Sequence, residues 1–158
     1  MKRILLGFLL FLGACGFSPL YQSTETGASS VPVEVAPIPK QYGFMMRQVL
    51  QGKFGAGSDT SYVLTLNAPT FTQWDQTIDD KNFTTIMGIS GSVSYQLTEK
   101  ATQKILLKNS TSLSSSYSVV KDPYATVVAQ QKIEKELARQ LAEQVSLHVL
   151  GTLAGVNH

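Results

Sequence analysis

The chain contains a single thiol, Cys15, and its neighbours give that thiol a use. Leu12, Gly13 and Ala14 lead directly into it, so a leucine stands three positions upstream and two small residues adjoin the cysteine. This spacing is the lipobox of exported lipoproteins. A thiol is the nucleophile that a diacylglyceryl donor can alkylate. The two small residues let a signal peptidase reach the bond between Ala14 and Cys15, and the amino group freed on Cys15 can then be acylated as well. Several acyl chains on one residue anchor a protein stably where one chain is marginal, at about 0.8 kcal/mol per buried CH₂. A lone cysteine cannot form an intramolecular disulfide, so in a secreted chain it calls for such an explanation.

The other residues able to do chemistry do not assemble into a reactive set. The two histidines are His148, within the last helical segment, and His158, the final residue. Neither has an evident carboxylate to orient it, so a serine nucleophile lacks a base. Asp79 and Asp80 beside Asn82 read as a turn rather than an acid/base or metal pair. The Gly-Ser steps from Gly88 to Ser92 lack phosphate-loop spacing. The expectation is a protein with no catalytic residues, no metal, and no cofactor beyond the covalent lipid on Cys15.

The segment before Cys15 agrees with the lipobox. Lys2 and Arg3 form a short positive start, and Ile4 to Leu12 is an apolar stretch of nine residues. Spanning a bilayer as a helix takes roughly 20 apolar residues, so this is an export signal rather than an anchor. Residues 1–14 are therefore expected to be removed, residues 15–30 to form a lipidated N-terminus and small, polar tether, and residues 31–158 to form one domain. Loss of Lys2 and Arg3 turns a formal +2 into 11 basic against 11 acidic side chains. A neutral chain without a Lys/Arg run is not built for nucleic acid. Charged residues are only 15% of the whole, while Ser, Thr and Gln abound.

Positioning falls to a short series of elements. Val31, Val33 and Val35 alternate with Pro32 and Glu34 as a first strand. Tyr42, Met45, Met46, Val49 and Leu50 fall at helical spacing over about 41–53, with Gly52, Gly55 and Gly57 marking the exit. Tyr62, Leu64, Leu66 and Ala68 alternate as a second strand that Pro69 interrupts with a bulge or bend, and Phe71, Trp74 and Ile78 continue it less regularly. The cleanest period of two runs from Phe83 to Thr98, and a reversal over 99–103 leads to a fourth strand with Ile105, Leu107, Thr111, Leu113, Tyr117 and Val119 on its apolar side. Asp122 then supplies an N-cap and Pro123 a first helical residue. Ala125, Val128, Ala129, Ile133, Leu137, Leu141, Val145 and Val149 make an apolar stripe on a helix ending near Gly151, and Lys132 stands four residues before Glu136.

This order predicts an α/β (α+β) two-layer sandwich, an about four-stranded mixed or antiparallel sheet with two helices packed on one face. The opposite face carries Ser90, Ser92 and Ser94 from one long strand and Ser112, Ser114 and Ser116 from the next. In a lone soluble domain Lys and Glu would be expected there. The hydroxyl face is the main sign of a partner.

The ends of the mature chain bring a family with them. Cys15-Gly16-Phe17-Ser18-Pro19-Leu20-Tyr21 resembles the CGFxPLY start of LptE-type lipopolysaccharide-assembly lipoproteins. Tyr117-Ser118-Val119, then Asp122-Pro123-Tyr124-Ala125 and the helix containing Leu141-Ala142-Glu143-Gln144-Val145, are similar to their C-terminal part. The resemblance implies an outer-membrane lipoprotein that plugs the LptD β-barrel, assists its assembly and helps deliver lipopolysaccharide to the surface. It gives the hydroxyl face a role, since a wet barrel interior favours hydroxyls over unpaired charges. Gly16 after the lipidated cysteine is compatible with outer-membrane sorting. Basic residues of such proteins meet the anionic lipid, and Lys100, Lys104 and Lys108 are the candidates here. The alternative for these lysines is a solvated strand end kept from edge pairing. The alternative for the whole chain is a periplasm-facing lipoprotein binding a small molecule or envelope component on its own, which predicts an apolar pocket between helices and sheet.

Overall fold

The computed structural model describes residues 31–55, 60–78 and 84–156. Cys15, the export signal, the tether, Gly57, Asp79, Asp80, Asn82, Phe83 and His158 lie outside the described residues. Strand β1 (Val33–Val35) is followed by helix α1 (Gln41–Phe54), strands β2 (Tyr62–Leu66), β3 (Thr70–Ile78), β4 (Thr84–Glu99) and β5 (Ile105–Ser118), and helix α2 (Pro123–Val156). β1 pairs parallel with β2, and β2, β3 and β5 each pair antiparallel with β4. The α+β architecture expected from the sequence is the one observed.

The five strands occupy only four positions across the sheet. β5 pairs with β4 from Ile86 to Thr98, so β2, which pairs with 95–99, and β3, which pairs with 84–92, must share the other edge of β4. They are one line of chain with an interruption at Pro69. Between the pairs Leu66–Tyr95 and Thr70–Ser92, three residues of this line face two of β4. The extra residue is a bulge, where a proline without an N–H costs no ladder bond. It also flips the alternation. Leu64 and Leu66 are buried on the helix side before it, and Phe71 takes that side after it, with Thr70, Thr72 and Trp74 on the other.

β4 organises the core. Ile89, Val93, Tyr95 and Leu97 are buried on one face, against Leu64 and Leu66 of β2 and the apolar sides of both helices. α1 contributes Met46, Leu50 and Phe54, with Tyr42, Met45 and Val49 partly buried. Tyr42 meets Phe71 edge to face at a centroid distance of 5.3 Å and donates a hydrogen bond to Glu134 of α2 at 2.8 Å. Burial first and then the Glu134 carboxylate push its phenol up to about 12. Gly55 closes α1 in the left-handed region with φ of 80°, its N–H bonded to Gln51.

α2 begins as expected, with Asp122 Oδ1 accepting the N–H of Tyr124 at 3.0 Å. Its other end corrects the expectation. The helix runs through Gly151 to Val156 because Val149 and Leu153 extend the buried stripe one more turn, and packing outweighs the roughly 1 kcal/mol by which glycine disfavours a helix interior. At 34 residues it is about 51 Å long, close to the length of β4. The stripe also starts later than its spacing suggests. Ala125 is exposed and Val128 is 44% exposed, so sheet contact begins with Ala129 and Ile133, beside Ile89 and Tyr117. Glu136 is held not by Lys132 but by Arg139, at 2.5 Å, which with Gln140 lowers its carboxyl to about 2.

A second bulge corrects the start of β5. Leu97 pairs with Leu107 while Thr98 pairs with Ile105, so Leu106 is the extra residue. Ile105 thereby leaves the apolar side and lies opposite Thr98, 50% exposed.

Candidate partner-facing sheet surface

Both helices pack on one face of the sheet, and among the described residues the other face is open. Alternation dictates its composition. The even residues of β4 point away from the core, and β5 is registered so that its even residues lie beside them. The result is a set of rows across three strands: Thr72, Ser90 and Ser114; Thr70, Ser92 and Ser112; and Ser94 beside Ser110. Trp74, Gly88 and Ser116 form the next row toward the β3 end. All six serines singled out from the sequence, Ser90, Ser92, Ser94, Ser112, Ser114 and Ser116, therefore share this surface. Ser94, Ser112, Ser114 and Ser116 are exposed, and Ser90 and Ser92 are half-buried by their neighbours. The Thr70 and Ser92 hydroxyls bond to each other at 3.0 Å. Across these rows there is no charged side chain.

Toward the other end the surface deepens into an open groove of about 550 Å³ lined by Thr65, Asn67, Ser94, Gln96, Lys108 and Ser110, with Tyr95 and Asn109 beside it. Amide and hydroxyl groups dominate it, and Lys108 is the single cation among its described lining residues.

The three lysine candidates do not converge. Lys100 lies in the β4–β5 turn but reaches across to β1, where its ammonium sits 2.6 Å from the Glu34 carboxylate and bonds to the Thr60 hydroxyl. That contact holds the Glu34 carboxyl below its ordinary range. Lys108 lies three sheet positions away on β5, and the bulge at Leu106 breaks the alternation that would have put Lys104 on the same face. Lys104 and Lys108 are both exposed. Shared spacing in the sequence thus becomes three separate environments.

His148 is an exposed residue of α2 whose Nδ1 lies 2.5 Å from the hydroxyl of Tyr95, with the two rings stacked at 6.1 Å. Its partner is a phenol, not a carboxylate. The phenol of Tyr95 is raised by burial, opposed by a hydrogen bond with Asn109. Between helices and sheet, where a small-molecule pocket would have to lie, Leu64, Leu97, Leu141, Val145 and Val149 are fully buried against one another. The groove lined by Met45, Lys132, Ile133 and Arg139 lies between the helices instead.

Trp74 is the residue of this surface that alternation alone misplaces. Its indole lies over Gly88, so close that a Cβ there would come within 2.2 Å of the ring, and it remains 43% exposed. The signal for its placement is Pro69, through the one-residue bulge. Because Trp74 is the only tryptophan in the chain, its fluorescence reports this spot. Gly88→Val is expected to lift the indole into solvent, shifting its emission to the red and costing about 1 kcal/mol, the low end for overpacking because the ring can swing outward. A chemical-denaturation curve and an emission spectrum check both.

No protein-family model matches the sequence, and no curated relative does. Solved structures do share the fold. A protein of Caulobacter crescentus described as a lipoprotein superposes with a TM-score of 0.60 at 22% identity, over 79% of this chain and 92% of that one. Rare lipoprotein B of Shewanella oneidensis gives 0.60 at 14% identity, over 80% and 98%. Lipoprotein B of Nitrosomonas europaea gives 0.60 at 12%, over 82% and 93%. At these identities the likeness is one of fold.

Proposed function

We propose that this chain is an outer-membrane lipoprotein, anchored through lipids on Cys15, that assembles with an LptD-type β-barrel, assists the barrel's assembly and aids insertion of lipopolysaccharide into the outer leaflet. The observation that carries the reading is the open hydroxyl face. Its serines and threonines can exchange hydrogen bonds with water or with polar side chains of a barrel wall, whereas unpaired charges held there would be costly. The lipobox, the CGFxPLY-like start and a fold shared with lipoproteins support the same reading. The role is one of assembly and placement rather than catalysis, with no cofactor beyond the lipid.

Lysines enter this reading singly. Lys108 beside the polar groove is the best placed to meet an anionic headgroup, Lys104 lies nearby in the chain, and Lys100 is already committed to Glu34.

The test is extraction of the whole chain from its own membranes in mild detergent. A barrel protein of outer-membrane size is expected to co-purify with it in near-equal amount, and a labelled fatty acid fed to the cells is expected to mark the parent chain and not Cys15→Ala. Recovery of the lipidated chain as a free monomer would overturn the partner, and equal labelling of Cys15→Ala, or no labelling of the parent, would overturn the anchor.

A further inference from the structure

The outer edge of β5 is treated differently along its two halves. In an antiparallel ladder a residue's N–H and C=O point to the same side, and the side alternates along the strand. The Asn67 N–H bonds to the Ser94 carbonyl, so even residues of β4 face the β2/β3 line, and the Val119 N–H bonds to the Thr85 carbonyl, so odd residues join β4 to β5. The even residues of β5 must then direct their backbone groups outward. Near the start of the strand this edge is guarded: Lys108 stands on it, and Asn109 folds its side-chain oxygen onto the Ser110 N–H at 2.8 Å. Edge lysines and such blocks are the usual protection against strand addition. From Ser112 to Ser118 there is no lysine, proline, bulge or capping side chain among the described residues, and four residues in succession, Ser112, Ser114, Ser116 and Ser118, present outward N–H and C=O groups.

We propose that this half of the β5 edge pairs with the same edge of a second copy of the chain, antiparallel about a two-fold axis at Ser115. The bare stretch is self-complementary. Centred on Ser115, Ser112 lies opposite Ser118 and Ser114 opposite Ser116, so every outward group meets its counterpart and about eight hydrogen bonds close. No charged residue falls within the paired stretch of either copy, so no like charges oppose one another. The hydroxyl face continues unbroken across the join. A closed barrel has no free edge and cannot satisfy these groups, so the backbone edge is distinct from the side-chain face assigned to the barrel although Ser112, Ser114 and Ser116 contribute to both, and the inference does not depend on that assignment. An anchor on Cys15 would favour the pairing by confining copies to one surface and raising their effective concentration.

The register makes the test specific. At the axis, Ser115 faces its own copy in a non-hydrogen-bonded pair, where Cα atoms are about 4.5 Å apart and a disulfide fits. Ser115 is exposed. The whole chain carrying Ser115→Cys, produced in its own cells and run on a non-reducing gel, is expected to give a disulfide dimer at several times the level of the parent chain and of Ser94→Cys on the inner strand. Ser112→Cys alone should give little, and co-production of Ser112→Cys with Ser118→Cys should restore the dimer. Adding Ser114→Pro or Ser116→Lys to Ser115→Cys should abolish it while circular dichroism shows an unchanged fold; either block suffices if the other disturbs folding. A Ser115→Cys dimer no stronger than that of Ser94→Cys, equal cross-linking at 112 and 115, or cross-linking only to a different protein would overturn the proposal.

Discussion

A chain carrying Ser92→Asp together with Ser112→Asp is expected to fold nearly as well as its parent and to lose the barrel partner proposed for it. These two positions are cross-strand neighbours in the middle of the open face, Ser112 exposed and Ser92 half-buried. In the free domain both carboxylates reach water, and their mutual repulsion costs about 0.2–1 kcal/mol. Against a barrel wall they would be desolvated without a partner, a penalty of about 3 kcal/mol or more. That is over a hundredfold in affinity. Thermal unfolding and co-purification measured on the same chain separate the two effects. Ser92→Thr with Ser112→Asn, which keeps the face neutral and hydrogen-bonding, should retain the partner. A double aspartate chain that stays fully bound would mean that this face does not meet the wall.

Leu141→Ala is expected to produce the largest loss of stability from a single change. Leu141 is fully buried in the middle of α2, at the point where the helix crosses β4. The crossing is close because Gly91 has no side chain; a Cβ there would lie 3.3 Å from the leucine methyl and 2.9 Å from the ring of Phe71. Removing three carbons from such a site loses their transfer free energy and leaves a cavity that rigid neighbours cannot fill, a cost of about 3 kcal/mol within a usual range of about 2–5. Domains of this size have about 5–15 kcal/mol in total, so the midpoint of urea unfolding should fall sharply with little change in slope. Gln131→Ala on the exposed side of the same helix should stay within about 0.5 kcal/mol. Any loss of partner in Leu141→Ala should be recovered at lower temperature, unlike the loss caused by the aspartates.

The parts of this fold legible in the sequence are those governed by a single uninterrupted period. From Ile86 to Glu99 one choice of face determines every residue, so the hydroxyl surface of β4 and the core of Ile89, Val93, Tyr95 and Leu97 follow together. The N-terminus of α2 was equally legible, because a cap and a proline act locally. What periodicity conceals is a change of phase. The extra residue near Pro69 sends Phe71 inward and Trp74 outward, and the extra Leu106 carries Ile105 out of the core and separates Lys104 from Lys108. A bulge position depends on the partner strand, which a single strand's pattern does not contain. The engagement of Lys100 by Glu34 lay beyond reach for a related reason: it joins residues 66 apart through the parallel pairing of β1 with β2. The extension of α2 past Gly151 shows tertiary burial overriding local propensity.

Contact between the open hydroxyl face and a β-barrel wall, as proposed, can be captured in intact cells by a photo-activatable cross-linker at Ser92, on the inner strand β4 and away from the β5 edge. One dominant adduct is expected, containing this chain and an outer-membrane barrel protein, and it should disappear when the linker is moved to Gln131 on the exposed side of α2. Efficient photolysis that yields no barrel adduct from Ser92, or the same adduct from Gln131, would contradict it.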